Sequence, residues 1–338
     1  MSGAPRTGHE PSRAVSQVGH LSEHPGPRRR VSGSGTFEKM SVDVVIVSFN
    51  SREKLRACVE PLAGLDGVSV AVVDNASTDR SLEVVADLPV RTIPLTSNAG
   101  FAHGCNVGAR AGSAPYVLLL NPDTTIEAGA LRRLVSVLES NPKAGAVAPR
   151  IVSPTGELHH SLRRFPRLRS TYSQAFFLHR LFPRALWADE MIRREEEYAR
   201  PGVHEWVSGA CILLRRSLLE QLNGLDDGFF LYCEDTDLCL RIRESGHEVR
   251  FEPTAVIVHE GGASASRSSL LHVAAASRIR YARKHRSRIA ALLERIGIGL
   301  GAFTHMLIGR GGAETRAGHA ESLRRVASRV PENAWPDG

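Results

Sequence analysis

Five apolar residues in succession, Tyr116 to Leu120, are followed directly by Asn121-Pro122-Asp123. A run of this kind suits a strand that is buried on both faces of a parallel sheet. Asn-Pro ends the strand, so Asp123 comes just after its carboxyl end. Because open α/β sheets bind ligands at that edge, Asp123 is a candidate ligand-binding carboxylate. The alternative is that Asp123 only caps a helix predicted from 127 to 140.

Predicted strands and helices alternate at short spacing through the first half of the chain. This alternation is typical of a doubly wound, mostly parallel sheet with helices on its faces. A later helix opens at Glu234, between two further predicted strands. The predicted strands other than 116–120 lie at 42–48, 68–73, 90–95, 146–152 and 206–214, and a final extended segment combines 249–251 with 255–258.

Composition divides the chain into segments. Residues 1–40 are rich in Ser, Gly, Pro and Arg and predict a disordered tail. Residues 153–202 mix arginines with aromatics without clear periodicity, which favours an insertion or lid, or else a peripheral helical pair. Residues 266–310 predict a basic helical extension, and 311–338 a flexible tail.

Charge and missing motifs narrow the function classes. The net charge of +7 favours an anionic partner such as a nucleotide or an acidic lipid. Nucleic acid is disfavoured as a partner, because aromatics make up only 6% of the chain and do not interleave with the basic clusters. The first strand leads into Ser48-Phe49-Asn50-Ser51 instead of a glycine fingerprint or a P-loop, which disfavours NAD, FAD and ATP-hydrolysing enzymes.

Cysteine usage and hydropathy favour a cytoplasmic protein. The five cysteines are odd in number and lack metal-like or disulfide-like spacing, so they are predicted to be reduced. The first 40 residues contain no apolar core of the kind a signal peptide needs. The longest apolar segment, 296–309, is interrupted by glycines and is predicted to be too short to span a bilayer.

Acidic residues recur where predicted strands end. If these ends share one edge of the sheet, Asp123 and His259 could hold a divalent cation that bridges a diphosphate. Each residue also has a structural explanation, since Asp237, for example, lies four residues before Arg241 and suits a helix pair. The residues concerned are Asp74, Asp79, Asp123, Glu234, Asp235, Asp237 and His259.

These motifs stand in the order found in one enzyme family. From Val42 to about His285 the chain resembles a family 2 glycosyltransferase of the GT-A fold, and within that family the rhamnosyltransferase-like members. The resemblance implies a GT-A domain at 41–265, with a nucleotide half at 41–150 and an acceptor half at 200–265. The matching segments are VVIVSFN, VVDNASTD, NAGFAHGCNVG, LLLNPD, WVSGACILLRR, GLDDGFFLYCEDTDLCLR and VHEGG.

The resemblance also implies roles for particular residues. Asp123 and His259 would bind Mg²⁺ or Mn²⁺, although Asn121 replaces the first carboxylate of the family's D-x-D motif, which predicts a weaker metal site. Asp235 would be the catalytic base, with Glu234 raising its pKa or orienting the acceptor. Trp206 and Gly209 would form the acceptor floor. The implied nucleotide-sugar site comprises Ser48, Asn50, Asp74, Asn75, Asp79, Asn98, Gly100, Asn106 and Asn121.

The implied activity is transfer of a sugar, with inversion, from a nucleoside diphosphate to a glycan or polyprenyl-linked acceptor in cell-wall or polysaccharide synthesis. Subgroup resemblance favours dTDP-L-rhamnose as donor. A UDP-sugar (N-acetylglucosamine, galactose or galactofuranose) is the alternative donor, and a non-catalytic sugar-nucleotide-binding protein the alternative class. A nucleotidyltransferase is disfavoured, because Ser48 to Arg52 lacks a Gly-rich basic loop. A basic helix at 277–295 before the apolar segment predicts peripheral contact with an anionic membrane, on its cytoplasmic face, or else a solvated helix.

Overall fold

A computed structural model of the chain describes residues 40–182, 185–261, 268–309 and 312–328. The tail predicted at 1–40 thus lies outside the described residues, except for Met40, and so does the end of the chain from residue 329.

A nine-stranded sheet forms the centre of the fold. Its strands are β1 (Val42–Ser48), β2 (Val68–Asp74), β3 (Arg91–Pro94), β4 (Tyr116–Leu120), β5 (Thr124–Thr125), β6 (Ala144–Val152), β8 (Gly202–His204), β10 (Cys211–Arg215) and β11 (Glu248–His259). The order is β3-β2-β1-β4-β10-β6-β11-β5, and β8 pairs with β11. A separate two-stranded sheet joins β7 (Leu162–Arg163) to β9 (Trp206–Val207). The predicted doubly wound, mostly parallel sheet is confirmed.

Helices cover the sheet and extend beyond it. Those packed near the sheet are α1 (Arg52–Val59), α2 (Phe101–Arg110), α3 (Ala128–Ser140), α6 (Arg216–Gln221) and α7 (Glu234–Glu244). The insertion contributes α4 (Leu168–Ala175) and α5 (Leu178–Leu181), and the end of the chain contributes α8 (Leu271–His285), α9 (Arg288–Ile308) and α10 (Ala313–Ala327). Short 3₁₀ segments lie at Ser81–Val85 and Glu195–Tyr198.

The apolar core lies in two layers on opposite faces of the sheet, because β1 and β4 are buried along nearly their whole length. Val44 and Leu118 point into one layer with Leu55 of α1. Val45 and Leu119 point into the other layer, with helices α2 and α7. Alternate residues of a strand face opposite sides, so a continuous apolar run is what such a central strand requires.

Three strands depart from the parallel arrangement: β5 and β8 pair antiparallel with β11, and β10 departs near the centre of the sheet. The single strand predicted at 206–214 is wrong: β9 and β10 are separate, and β10 runs antiparallel to both β4 and β6. The chain changes sheets at Ser208-Gly209-Ala210, where Asn121 N donates to Ala210 O at 2.9 Å. Apolar patterning alone does not carry strand direction, and so the break was not visible in the sequence.

The C-terminal region also differs from its prediction. The basic helix expected at 277–295 is interrupted, because Ser287 caps the start of α9 by accepting from Ala290 N. The flexible tail expected from 311 is wrong for 313–327, which form α10. This helix packs closely enough that a Cβ at Gly318 would clash with Ser268 O. Short amphipathic helices of this kind owe their stability to such packing and not to propensity.

The apolar segment at 296–309 is the second half of α9, which has 21 residues. By length and composition alone, α9 as a whole could cross a membrane; the prediction considered only 296–309 and not the longer helix that contains most of this segment. Helix α9 is the one such helix among the described residues, with a mean hydropathy of 1.3. The core helix of a soluble protein passes the same test.

A buried ion network holds α9 against the rest of the protein. Glu294 of α9 is fully buried and pairs with Arg278 of α8 at 2.9 Å and with Arg286 at 2.8 Å. Arg278 also pairs with Glu190 of the insertion, and Thr171 of α4 donates to Glu294 at 2.7 Å. Each buried charge thereby has partners, which is the condition for burying it at all. The network fastens the insertion to the C-terminal helices.

Candidate functional site

A cavity of about 1000 Å³ opens at the carboxyl ends of β1, β2 and β4. It continues past the start of α7 to the insertion and to α8, α9 and α10. Its volume is at the upper end of those that bind small molecules. Most of the predicted site residues line this cavity: Asn75, Asn98, Gly100, Asn121, Asp123, Trp206, Gly209, Glu234, Asp235 and His259.

Asp123 and His259 meet on the wall nearest the sheet. Antiparallel pairing of β11 with β5 places His259 opposite Thr124, and Glu260 N donates to Asp123 O at 3.0 Å. His259 Nε2 consequently lies 3.1 Å from Asp123 Oδ1, and both side chains are mostly buried. Burial raises the pKa of Asp123, but the hydrogen bond and charge of His259 outweigh it, and the pKa is lowered overall.

Asp123 and His259 can supply part of the coordination of a divalent cation and leave its other positions to a ligand. A carboxylate and an imidazole are both suitable ligands, and Asn121 adds an amide to the same wall. Among the described residues, no group of three or more His, Cys, Asp or Glu side chains could hold a metal. Ions such as Mg²⁺ are commonly bound by one or two carboxylates together with substrate phosphates, so a complete protein cage is unnecessary.

Asp235 lies at the first turn of α7 and is held by backbone groups. Gly209 N donates to its Oδ2 at 2.9 Å, and Thr236 N donates to its Oδ1 at 2.7 Å. Burial raises the pKa of Asp235, and these hydrogen bonds only partly oppose that effect. The result is a fixed carboxylate whose proton affinity is above that of an ordinary aspartate, as a general base requires.

Glu234 is buried beside Asp235 and has an unused oxygen. Burial first, and then the charge of Asp235, raise the pKa of Glu234 well above its usual range. The sequence predicted that Glu234 raises the pKa of Asp235. In the structure the largest cause of the raised pKa of Asp235 is burial. Within the described structure, Glu234 Oε2 is buried and has no hydrogen-bond partner. A neutral carboxyl group at this position can donate to a ligand.

A small polar framework of residues predicted to bind nucleotide lines one side of the cavity. Asn75 Nδ2 donates to Gly100 O at 3.0 Å, and Gly100 N donates to Asn98 Oδ1 at 3.1 Å. Gly100 has a φ of +91°, and a Cβ there would lie 2.5 Å from Phe230 O. Only glycine fits this position, where the loop before α2 meets the segment before α7.

Some predicted nucleotide residues lie outside the lining of this cavity. Ser48 is fully buried, and Asn50 accepts from Thr78 N at 2.9 Å. Asp74 accepts from Ser77 N, and Asp79 from Arg52 N. These bonds hold the turns that follow β1 and β2.

Asn106 is also held away from the cavity. Its Nδ2 donates to Leu225 O at 2.8 Å and its Oδ1 accepts from Leu225 N at 2.9 Å. The structure therefore does not place it on a phosphate wall. Its amide joins α2 to the loop before α7, a long-range contact that no local pattern indicates.

Sequence reasoning did not identify the cavity residues contributed by the insertion. Arg163 of β7 lines the cavity and stacks over Trp206, with its guanidinium carbon 5.4 Å from the ring centre. Glu190 of the insertion and Arg278 of α8 also line it. Arg163 and Glu190 lie in the insertion, a stretch of poor periodicity in which the available signal was only the mixture of arginines and aromatics.

Comparison with known proteins gives one family match and several relatives. The model of glycosyl transferase family 2 matches residues 43–222. The N-acetylglucosaminyl-diphospho-decaprenol L-rhamnosyltransferase of Mycobacterium tuberculosis strain H37Rv is 33% identical over 221 residues, which are 62% of this chain and 71% of that protein. The rhamnosyltransferase WbbL of Escherichia coli K12 is 28% identical over 227 residues, which are 64% of this chain and 83% of that protein.

Two solved structures share the architecture. The mannosyltransferase PcManGT from Pyrobaculum calidifontis, in complex with GDP-Man and Mn²⁺, aligns over 88% of this chain and 79% of its own, with a TM-score of 0.50 and 20% identity. GalNAc-T7 with UDP, GalNAc and Mn²⁺ aligns over 86% of this chain and 56% of its own, with a TM-score of 0.56 and 13% identity. At these identities the likeness concerns the fold alone.

Proposed function

Because the chain belongs to glycosyltransferase family 2, among its rhamnosyltransferase-like members, and has the GT-A fold, we propose that it transfers a sugar from a nucleoside diphosphate with inversion and with a divalent cation. The observation that carries this proposal is the presence of Asp123, His259 and Asp235 on one cavity. A binding protein needs a nucleotide wall but no buried base, and so this set favours an enzyme over the non-catalytic alternative.

Asp123 and His259 would act on the sugar donor. Asp123 and His259 would hold Mg²⁺ or Mn²⁺, whose charge offsets the negative charge of the departing diphosphate. Asn75, Asn98 and Gly100 orient the nucleotide beside it. Asn121 lacks the charge of an aspartate, so we expect the cation to bind weakly until the nucleotide is present.

Asp235 activates the acceptor. Its carboxylate takes the proton of the acceptor hydroxyl as that oxygen bonds to the anomeric carbon. The bond from this carbon to the diphosphate oxygen breaks on the opposite face, and its electron pair leaves with the diphosphate. A single displacement of this kind inverts the anomeric centre. The neutral carboxyl of Glu234 orients the acceptor by donating a hydrogen bond.

The leading donor is dTDP-L-rhamnose, and the support is the two rhamnosyltransferase relatives. A UDP-sugar remains the alternative donor. For the acceptor we propose a lipid-linked sugar in cell-wall or polysaccharide synthesis, since the mycobacterial relative is named for a diphospho-decaprenol acceptor. Under this proposal residues 41–150 form the donor half, 200–265 the acceptor half, and 153–202 a lid.

A lipid acceptor would require the enzyme to reach a membrane surface. The outer face of α9 is apolar, and the neighbouring insertion adds Phe176, Leu181 and Phe182 to the exposed apolar surface. The net charge of +7 favours anionic lipid. We propose that the protein is cytoplasmic and rests on the inner face of the cell membrane through this surface, which we call the α9 face. Its members are Ile289, Leu292, Leu293, Ile296, Phe303, Leu307 and Ile308.

Nucleoside diphosphate release from a panel of dTDP- and UDP-sugars, with Mg²⁺ or Mn²⁺, tests the proposal. We expect slow metal-dependent release from one donor, lost in Asp123→Ala and retained in Asp87→Ala. Asp87 is a suitable control because it pairs with Arg56 on the exposed surface. The enzyme proposal fails if the protein releases nucleoside diphosphate from no donor and binds no donor, whether or not a lipid-linked acceptor is present.

A further inference from the structure

The cavity lining contains two arginines in very different situations. The guanidinium of Arg278 is already used in ion pairs with Glu190 and Glu294. Arg163 lines the same cavity, yet no carboxylate of the described residues pairs with it. The carboxylates nearest to reaction chemistry, Asp123 and Asp235, are engaged by His259 and by backbone N–H groups respectively. Arg163 therefore makes no ion pair with a described carboxylate, although its charge is near enough to Asp235 to oppose the rise in the pKa of that carboxyl that burial causes.

The position of Arg163 is fixed by the small β7/β9 sheet. Arg163 is in register with Trp206, whose Nε1 donates to Arg164 O at 2.9 Å. Ser208 N donates to Ser161 O at 3.0 Å. The same segment continues into Gly209, which holds Asp235. Arg163 thus belongs to the acceptor side of the base, whereas Asp123 and Asn98 belong to the donor side.

The stacking on Trp206 orients the guanidinium without using its hydrogen-bond donors. A stacked arginine keeps its planar fork of N–H groups available, and that fork matches the oxygens of a phosphate. A neutral sugar hydroxyl would need neither the charge nor the fork. The guanidinium of Arg163 therefore suits an anionic group that a ligand supplies on the acceptor side.

We propose that Arg163 binds a phosphate or diphosphate group of the acceptor and so selects acceptors in which the sugar is linked to lipid through phosphate. This inference rests on the proposed glycosyl transfer and specifies the acceptor class for the same site. Arg163 acts on binding and orientation: it holds the anion while Asp235 takes the proton from a hydroxyl of the attached sugar.

Calorimetric titration with farnesyl diphosphate tests the proposal directly. Saturating dTDP or UDP with Mg²⁺ is present throughout, because it occupies the donor diphosphate site and leaves only the acceptor side to be measured. Farnesol is the probe that has the same chain without charge. We expect the wild type to bind farnesyl diphosphate more tightly than farnesol. In Arg163→Gln we expect affinity for farnesyl diphosphate to fall about tenfold, the change expected from one charge-assisted hydrogen bond. Arg163→Lys should recover part of the loss.

Arg193→Gln is the matched control, because Arg193 is an exposed arginine of the same insertion that pairs with Asp189. It should bind farnesyl diphosphate like the wild type. Equal affinity of Arg163→Gln and wild type for farnesyl diphosphate would overturn the proposal, and so would equal affinity of the wild type for farnesol. Nucleotide affinity and donor hydrolysis are measured separately on the same proteins, without the saturating dTDP or UDP. Their loss in the wild type would count against glycosyl transfer itself, while their retention confines a negative result to Arg163.

Discussion

His259 Nε2 lies 3.1 Å from Asp123 Oδ1, although the two residues belong to segments far apart in the chain. The pairing of β11 with β5 creates this contact, and the hydrogen bond from Glu260 N to Asp123 O fixes it. A carboxylate and an imidazole held in this way need little rearrangement to share a cation. The pair is therefore the part of the site most directly open to test.

Replacing His259 should weaken the affinity of the site for its metal ion without unfolding the protein. In His259→Ala we expect the Mn²⁺ concentration for half-maximal activity to rise about 10- to 100-fold, as is typical when support for a metal site is lost. Metal titration of donor hydrolysis measures this. His247→Ala is the control, since His247 bonds to Ser245 near the opposite end of β11. An unchanged titration in His259→Ala would show that His259 is not a ligand.

Asp235→Asn should separate binding from catalysis. The amide cannot accept the acceptor's proton, so transfer should fall by about 10²- to 10⁴-fold, while nucleotide affinity stays within error. In the wild type, kcat/KM should fall as pH drops through the pKa of Asp235, which burial raises above 3.8. The measurement is a pH profile of transfer together with nucleotide titration. Full transfer by Asp235→Asn would refute the assignment of the base.

Glu234→Gln should alter the pH dependence of stability. The folded protein holds the Glu234 proton more tightly than the unfolded chain, because its folded-state pKa is raised well above 4.5. The stability that Glu234 contributes is thus present below its unfolded pKa and is lost as pH rises through its folded pKa. Relative to wild type, Glu234→Gln should be more stable at about pH 8 and equal at about pH 4.

Urea unfolding at both pH values measures this difference. Glu244→Gln, at the exposed end of the same helix, should match the wild type throughout. An unfolding difference between Glu234→Gln and wild type that stays constant with pH would mean that Glu234 does not bind an extra proton in the folded state.

Gly100→Ala should destabilise the loop before α2. The substitution places a Cβ 2.5 Å from Phe230 O at a φ of +91°, so we expect a loss of about 1 to 3 kcal/mol in the free energy of unfolding. Nucleotide affinity should fall with it. Gly129→Ala in the first turn of α3 has open space around the added methyl and should not be destabilising. Urea unfolding compares the two, and equal effects would contradict the close approach at Gly100.

Binding to anionic vesicles should depend on the α9 face. At low ionic strength we expect the protein to sediment with phosphatidylglycerol vesicles and not with phosphatidylcholine vesicles. Ile289→Ser combined with Leu292→Ser should reduce sedimentation, because both side chains are exposed on this face. Val256→Ser removes an exposed apolar side chain on β11 and should have no effect. If the wild type ignores phosphatidylglycerol vesicles, the membrane proposal is wrong.

The sequence alone determined the features that depend on local patterns. Apolar runs such as Tyr116–Leu120 located the central strands, and the polar residues after them marked the ligand edge, because strand burial and strand ends are written in consecutive residues. The motifs from V-V-I-V-S-F-N to V-H-E-G-G indicated the family. Asp123, Asp235 and His259 were therefore identified as candidates before any geometry was known.

Only the tertiary structure decided which distant groups meet. It placed β10 antiparallel between β4 and β6, turned Asn106 towards Leu225, and buried Glu294 of an apolar helix against Arg278. It also left Arg163 in the cavity without an ion pair to any described carboxylate. Strand direction, ion pairing and burial arise from contacts between segments remote in sequence, and no local periodicity records those contacts.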